Sequence, residues 1–305
     1  MRAAICTAYG PPDVLVVRDV PRPEPGRGEI RVRIWASTVN SSDWFIRSGL
    51  PDASLFLRMA MKLALGIRRP RRQILGLILA GEVEALGPGT SRFALGDRVW
   101  AYTKFRLGGY AQYTCLAESS TVAVAPANLD HGEAAALVYG GLLGLHCVRR
   151  GEVAAGQRVL VYGASGAVGT MVVQLARHLG AEVTAVCGPT NASLVQSLGA
   201  AEVLDYTAVD APPPGAPYDL MLDAVGKRKT SALRTACEAA ATRAISVDDG
   251  TPELPAEDLV HLRALAESGA IRPVIDRTWP LEEIVAAHAY VQNEHKAGNV
   301  VITIP

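Results

Sequence analysis

The sequence predicts an α/β protein in two parts, a small turn-rich β domain followed by a doubly wound parallel sheet. Three observations carry that expectation. Short apolar runs broken by Gly and Pro fill roughly the first hundred residues, the texture of a small β domain. From about Ala125 onward, long Ala/Leu/Val stretches alternate helix and strand patterns, which is how βαβ units read. The 305 residues also exceed the roughly 250–300 at which one core stops growing, so two domains are expected.

In the first part, Val14–Val17 is a strand candidate closed by the proline-rich Pro21–Gly26, and Glu29–Ile34 alternates charged and apolar residues with a strand's period of two. Ala80–Ala85, stopped by Gly87-Pro88-Gly89, and Arg98–Tyr102, introduced by Gly96-Asp97, are the next two. Between them Leu55–Leu65 is apolar with helical spacing; an ordinary core helix and a methionine-bearing lid are both open readings. In the second part, strands are expected at Arg158–Tyr162, Glu182–Cys187, Glu202–Tyr206, Tyr218–Asp223 and Ala244–Val247. Helices are expected at Gly169–Leu179, Ser193–Leu198 and Ala256–Ser268, and the prolines of Ala211–Pro217 make that stretch a rigid surface loop.

Half the chain is apolar (49%) and a fifth charged (20%), the balance of a globular protein rather than a disordered one. Thirty basic residues offset thirty acidic ones, so the overall charge points to neither a nucleic acid nor a membrane as partner. The one basic run, Arg68, Arg69, Arg71 and Arg72, reads first as a solvated loop and second as an anionic-substrate or lipid-facing patch. Cys6, Cys115, Cys147, Cys187 and Cys237 are odd in number and far apart, as expected of buried thiols in a reducing compartment. Neither an export signal nor an apolar span of ~18 residues is found, so a cytoplasmic location is expected.

The chemistry concentrates in Gly163-Ala-Ser-Gly-Ala-Val-Gly169, directly after an expected strand and before an expected helix. A pyrophosphate is bulky and anionic, so it needs a turn without β-carbons where backbone N–H groups at a helix start can reach it. Glycines at 163, 166 and 169 allow this, and the surrounding βα units make the reading stronger than the motif alone. Gly163, Ser165, Gly166, Ala167 and Val168 are therefore expected to bind a dinucleotide in a Rossmann sheet. Tyr206, at the end of the third strand, and Val225, after the fourth, are expected to line the same site. The second strand ends in Cys187-Gly-Pro-Thr-Asn191, without the acid that would hold a free ribose and repel a 2′-phosphate. That favours NADPH, with NADH possible, and makes Gly188, Thr190, Asn191 and the more distant Lys296 the phosphate-side candidates.

These residues resemble the medium-chain dehydrogenase/reductase superfamily, in its zinc-free quinone oxidoreductase and enoyl reductase branch. The matching stretches include Val39-Asn-Ser-Ser-Asp-Trp44, Leu95-Gly-Asp-Arg-Val99, Gly108-Gly-Tyr-Ala-Gln-Tyr113, Val161–Gly169, Asp223-Ala-Val-Gly226 and His295–Val301, in order along nearly the whole chain. The resemblance implies a GroES-like β domain over residues 1–124, rejoined by 270–305, and a Rossmann domain over 125–269, with the active site in the cleft between them. In zinc-dependent relatives that cleft holds a Cys/His/Glu site. Here Asn40-Ser-Ser-Asp43 and Ile74–Ile78 stand at the first two ligand regions, so no metal is expected.

The activity this implies is NADPH-dependent reduction of a small enone or quinone; the alternative is a dinucleotide sensor without turnover. Asn40 matches a family asparagine that holds a nicotinamide or substrate oxygen, although an asparagine in such a turn also bonds its own backbone. Asp43 shares that turn. Tyr110 offers a phenol and reads equally well as structural. Tyr139 and Gly140-Gly141 stand where relatives pass backbone behind the cofactor, and Ile78 replaces a frequent family aspartate. Val247-Asp-Asp-Gly-Thr-Pro252 runs almost directly into a helix, where relatives insert a helix and an edge strand that pairs across a dimer. A monomer, or a dimer made by another surface, is expected.

Overall fold

The computed structural model describes residues 1–49, 59, 62, 63, 65–207, 218–226, 242–250, 252–293 and 296–305. Most of the Leu55–Leu65 candidate, the Ala211–Pro217 loop, Cys237 and His295 lie outside the described residues. Two compact units are present, one comprising Met1–Val138 with Ile275–Pro305 and the other Tyr139–Val274.

The first unit is built on β3 (Glu29–Val39), flanked by β4 (Ile78–Leu86), β6 (Tyr113–Ala117) and β14 (Asn299–Thr303), all antiparallel to it. β5 (Arg98–Tyr102) and β7 (Val122–Val124) extend the sheet on one side, and β13 (Ile275–Pro280) extends it on the other. β1 (Arg2–Cys6) and β2 (Leu15–Asp19) form a separate antiparallel pair. β3 is longer than the expected Glu29–Ile34 because two register shifts, at Arg31/Val32 and Ile34/Ala36, bend it so that it serves three neighbours. Its inner face, Ile30, Val32 and Ile34, is fully buried, as are Leu79 on β4 and Trp100 on β5. The alternation is not clean, since Arg31 is also buried; Nε bonds Glu84 at 2.9 Å and Nη1 bonds Glu24 at 2.6 Å, which supplies the pairing that a buried cation requires. Helix α1 (Ser41–Ser48) follows β3 at once, and α6 (Ile284–Gln292) precedes β14.

Among the described residues the second unit is a five-stranded parallel sheet. In the order of β8 (Arg158–Tyr162), β9 (Glu182–Cys187), β10 (Glu202–Asp205), β11 (Leu220–Asp223) and β12 (Arg243–Ser246), the strands lie 3-2-1-4-5 across it. Helices α3 (Ala167–His178), α4 (Ala192–Leu198) and α5 (Ala256–Glu267) complete the βα alternation, within two residues of the expected bounds. Leu160, Val186 and Met221 from three adjacent strands form one buried cluster, which explains why these strands read as near-continuous apolar runs. Among the described residues β12 is the sheet's edge, and Pro252 and Pro255 precede α5.

The chain passes from one compact unit to the other at 138/139, inside helix α2 (His131–Arg150), and back at 274/275; the sequence reading places its domain boundaries at 124/125 and 269/270. The composition changes where α2's apolar face begins, before the chain changes unit. Gly140 and Gly141, expected to offer backbone to a cofactor, lie within α2; a β-carbon on Gly140 would stand 2.1 Å from the Ala167 carbonyl oxygen, so this glycine lets α2 pack on the head of α3.

Candidate active site

In the second unit, the loops after β8, β9, β10 and β11 all emerge at the carboxyl edge of the sheet, and the switch of strand order lies between β8 and β11. The three glycines of the first loop do different work. Gly163 has φ +74°, a left-handed turn that bends the chain off β8. Gly169 packs α3 against that turn, since a β-carbon there would lie 2.1 Å from the Gly163 carbonyl oxygen. Gly166 is not required by the chain itself, because its β-carbon would meet only the Gly163 oxygen, at 3.5 Å. It is also the N-cap of α3 and supplies no side-chain cap, leaving the first-turn amides of Ala167 and Val168 to an anion. A cradle with room at Gly166 and uncapped amides at its base fits a pyrophosphate.

The neighbouring loops close on this cradle. Asn191 Nδ2 donates to Ser165 Oγ at 3.3 Å, so the end of the second strand is tied to the glycine loop. Thr190 is exposed beside it in a short 3-10 turn, Pro189–Asn191. Tyr206 is half exposed, and its ring lies 3.7 Å from where a β-carbon on Gly188 would stand. Val225 is exposed on the loop after β11. Asp223, not singled out by sequence reasoning, builds that loop: its carboxylate accepts the Val225 and Gly226 amides at 2.9 and 3.1 Å and the Ser246 hydroxyl at 2.9 Å. An Asp at a strand end three residues before a glycine is turn chemistry, and that was the available signal. Lys296 belongs to the other unit; its Nζ donates to the Gly298 carbonyl at 2.6 Å, and burial pushes its ammonium down to about 8 against the pull of Asp276.

In the first unit, Asn40 caps α1. Its Oδ1 accepts the Ser42 and Asp43 amides at 2.9 and 3.2 Å, and Asp43 Oδ2 returns the bond to the Asn40 amide at 3.1 Å, a reciprocal capping box. The asparagine thus bonds its own turn through oxygen alone. Its Nδ2 is buried and has no partner among the described residues. Asp43 is fully buried, which pushes its carboxyl up to about 7 in spite of the Asn40 amide, the Tyr110 hydroxyl and the Leu77 and Gly76 amides. The Asn40 amide bonds Oδ2, and the other carboxyl oxygen, Oδ1, is buried without a hydrogen-bond partner among the described residues. Ile78 is core, its carbonyl taking the Ser37 hydroxyl at 2.6 Å.

Tyr110 is also fully buried. Its hydroxyl donates to the Thr38 carbonyl at 3.2 Å, and burial with Asp43 nearby keeps it far from ionising. His288 meets the Tyr110 ring edge-on at 5.6 Å; both its nitrogens lack partners among the described residues, and burial and Arg47 push it down to about 3. Arg47, wholly buried, bonds the Gly10 carbonyl at 2.5 Å and Gln292 at 2.9 Å. Burial likewise raises the thiols of Cys6 and Cys115 to about 11 and of Cys147 to about 12, so none is a nucleophile at neutral pH. No group of three or more His, Cys, Asp or Glu arranged to hold a metal occurs among the described residues.

Residues 26–127 match the family model of the alcohol dehydrogenase GroES-like domain, and residues 240–302 match that of a zinc-binding dehydrogenase. The quinone oxidoreductase of Pseudomonas aeruginosa is 34% identical over 272 residues, 87% of this chain and 77% of that protein. The chloroplastic NADPH-dependent alkenal/one oxidoreductase of Arabidopsis thaliana is 27% identical over 99% of this chain and 79% of its own length. Among solved structures, the quinone oxidoreductase from Coxiella burnetii superposes with a TM-score of 0.86 at 25% identity, covering 100% of this chain and 99% of that one.

Proposed function

The chain belongs to the quinone oxidoreductase and enoyl reductase branch of the medium-chain dehydrogenase/reductase family, and we propose that it reduces a small quinone or α,β-unsaturated carbonyl compound with NADPH and without zinc. The observation that carries the reading is the open cradle at Gly166 over uncapped helix amides, at the switch point of a 3-2-1-4-5 sheet. Gly163–Val168 would hold the pyrophosphate, and Thr190 and Asn191 the 2′-phosphate, with Tyr206 and Val225 along the site. The bound cofactor supplies a hydride.

The other requirement is a group that stabilises the negative charge growing on the substrate oxygen. Without a metal, that task falls to a fixed hydrogen-bond donor. Asn40 Nδ2 is such a donor, because the helix cap consumes the amide's oxygen and fixes which way its nitrogen points. Tyr110 and Asp43 stay behind it: the phenol is engaged by Thr38 and the carboxyl by the Asn40 amide. Two of the three residues expected to act on substrate thus support the third. Ending at β12, the sheet also supports a monomer, or a dimer made elsewhere. The test is cofactor oxidation with a panel of quinones and enones in chelator-treated buffer; NADPH binding without turnover on any of them would favour the sensor alternative.

A further inference from the structure

The sequence between Asp52 and Glu82 contains no acidic residue but carries Arg58, Lys62, Arg68, Arg69, Arg71 and Arg72, in a chain whose total charge is zero. The described part of it is exposed in an unusual way. Met59 and Leu63, each in helical conformation and four residues apart in sequence, are 64% and 67% exposed, and Ile67 is 69% exposed. Arg68, Arg69, Arg71 and Arg72 follow immediately, all exposed; Arg72 lies near enough to Glu29 to favour its charged form.

Hydrogen bonds fix the turn that carries the arginines. The Gly66 amide bonds the Lys62 carbonyl at 2.8 Å, the Arg71 amide returns to the Leu65 carbonyl at 2.6 Å, and the Tyr9 hydroxyl anchors the Gly66 carbonyl at 2.8 Å. Gly66, at φ +131°, admits no side chain, since a β-carbon would lie 2.1 Å from the Arg69 carbonyl oxygen. The turn so formed borders a depression of about 450 Å³ lined by Ile67, Arg68, Arg69 and Arg71.

We propose that this face, Met59, Leu63 and Ile67 beside the Arg68–Arg72 cluster, docks the protein on an anionic lipid surface. Exposed apolar side chains flanked by exposed arginines match the two halves of such an interface, acyl-chain boundary and acidic headgroup. A soluble acidic partner would need the arginines but not three large apolar groups held in water, and large exposed apolar groups grouped together mark interaction sites. The docking is independent of the reaction proposed above. It revises the expectation, drawn from overall charge, that no membrane is involved, because the balance over the whole chain hides a local excess.

The experiment is co-sedimentation of the full chain with phosphatidylcholine vesicles and with vesicles also containing phosphatidylglycerol, at physiological salt. Binding is expected only to the anionic vesicles. It should fall on the order of 10³-fold in R68Q/R69Q/R71Q/R72Q and about tenfold in L63S/I67S, with thermal unfolding showing that both variants fold. No binding to anionic vesicles would overturn the proposal. So would binding that survives L63S/I67S, the behaviour of arginines reading any soluble polyanion. A dimer of the wild-type chain that becomes a monomer in L63S/I67S by light scattering would assign the face to a second copy instead, and would equally overturn it.

Discussion

Asn40 and Asp43 each hold the other's backbone amide across the first turn of α1, the asparagine Oδ1 accepting the Asp43 N–H at 3.2 Å and the Asp43 carboxyl accepting the Asn40 N–H at 3.1 Å. Cap and candidate donor are thus one side chain, and two substitutions separate them. Asn40→Ser keeps a cap oxygen but loses the N–H₂ group; its stability should stay within about 0.5 kcal/mol of wild type, because serine caps about as well. Its kcat/KM should fall by roughly 10²-fold, the usual cost of one oxyanion donor. Asn40→Ala should show the same kinetic loss and about 1 kcal/mol less stability. Unimpaired kinetics in Asn40→Ser, with unfolding measured in parallel, would reduce Asn40 to a cap.

Asp43 makes stability depend on pH in a definite direction. Its carboxyl sits at about 7 in the fold, against an ordinary value of 3.8, because burial disfavours the charge. Between those values the unfolded chain has lost the proton and the folded chain has kept it, so this group's contribution weakens as pH rises from about 4 to 7. His288, held near 3, works oppositely, strengthening the fold as pH rises toward 6.5. Substitution isolates each effect. The unfolding temperature of Asp43→Asn relative to wild type should rise from pH 4 to 7, and that of His288→Phe, which keeps the ring against Tyr110, should rise as pH falls from 6.5 toward 4. Parallel pH profiles for either variant and wild type would contradict the burial argument.

The glycines of the loop after β8 should fail in different ways. Gly166→Val places its side chain where the chain leaves space, so the variant should fold normally and lose NADPH affinity by about 100-fold or more. Gly169→Ala drives a β-carbon into the Gly163 carbonyl and should cost about 1–3 kcal/mol of stability. Calorimetric titration and thermal unfolding of the two purified variants distinguish these outcomes, and a Gly166→Val that binds NADPH normally would move the cofactor elsewhere.

Cofactor choice rests on the loop after β9, where Asn191 bonds Ser165 and no acid follows Cys187. The ratio of kcat/KM for NADPH over NADH should exceed unity in the wild type and fall by at least about tenfold in Asn191→Asp, because a carboxylate repels the 2′-phosphate and bonds a free ribose. A wild-type preference for NADH would show that the missing acid is a poor guide here.

The parallel sheet was legible because strands such as Arg158–Tyr162 and Glu182–Cys187 are buried on both faces and read as unbroken β-branched and apolar runs. The length of β3 was not, since its bulges break the period of two that would extend it past Ile34. Helix α2 was blurred by Gly140, Gly141 and Gly144, which look like breakers in sequence; Gly140 is demanded by the close approach of α3. At the candidate site, the glycine loop announced itself through spacing. The division of labour among Asn40, Asp43 and Tyr110 did not: the cap is local to Asn40, Ser42 and Asp43, but whether a phenol faces Thr38 or a substrate depends on packing between segments more than 60 residues apart.

Hydride transfer from NADPH to a conjugated carbonyl or quinone, without a metal, is tested most directly by a reaction with nicotinamide-deuterated NADPH and a simple enone in chelator-treated buffer, with the product characterised by mass spectrometry and NMR. One deuterium at the carbon β to the carbonyl and a saturated ketone are expected. Unchanged enone and no quinone reduction by the cofactor-bound protein, or activity that disappears on chelation and returns with zinc, would contradict the proposed reaction.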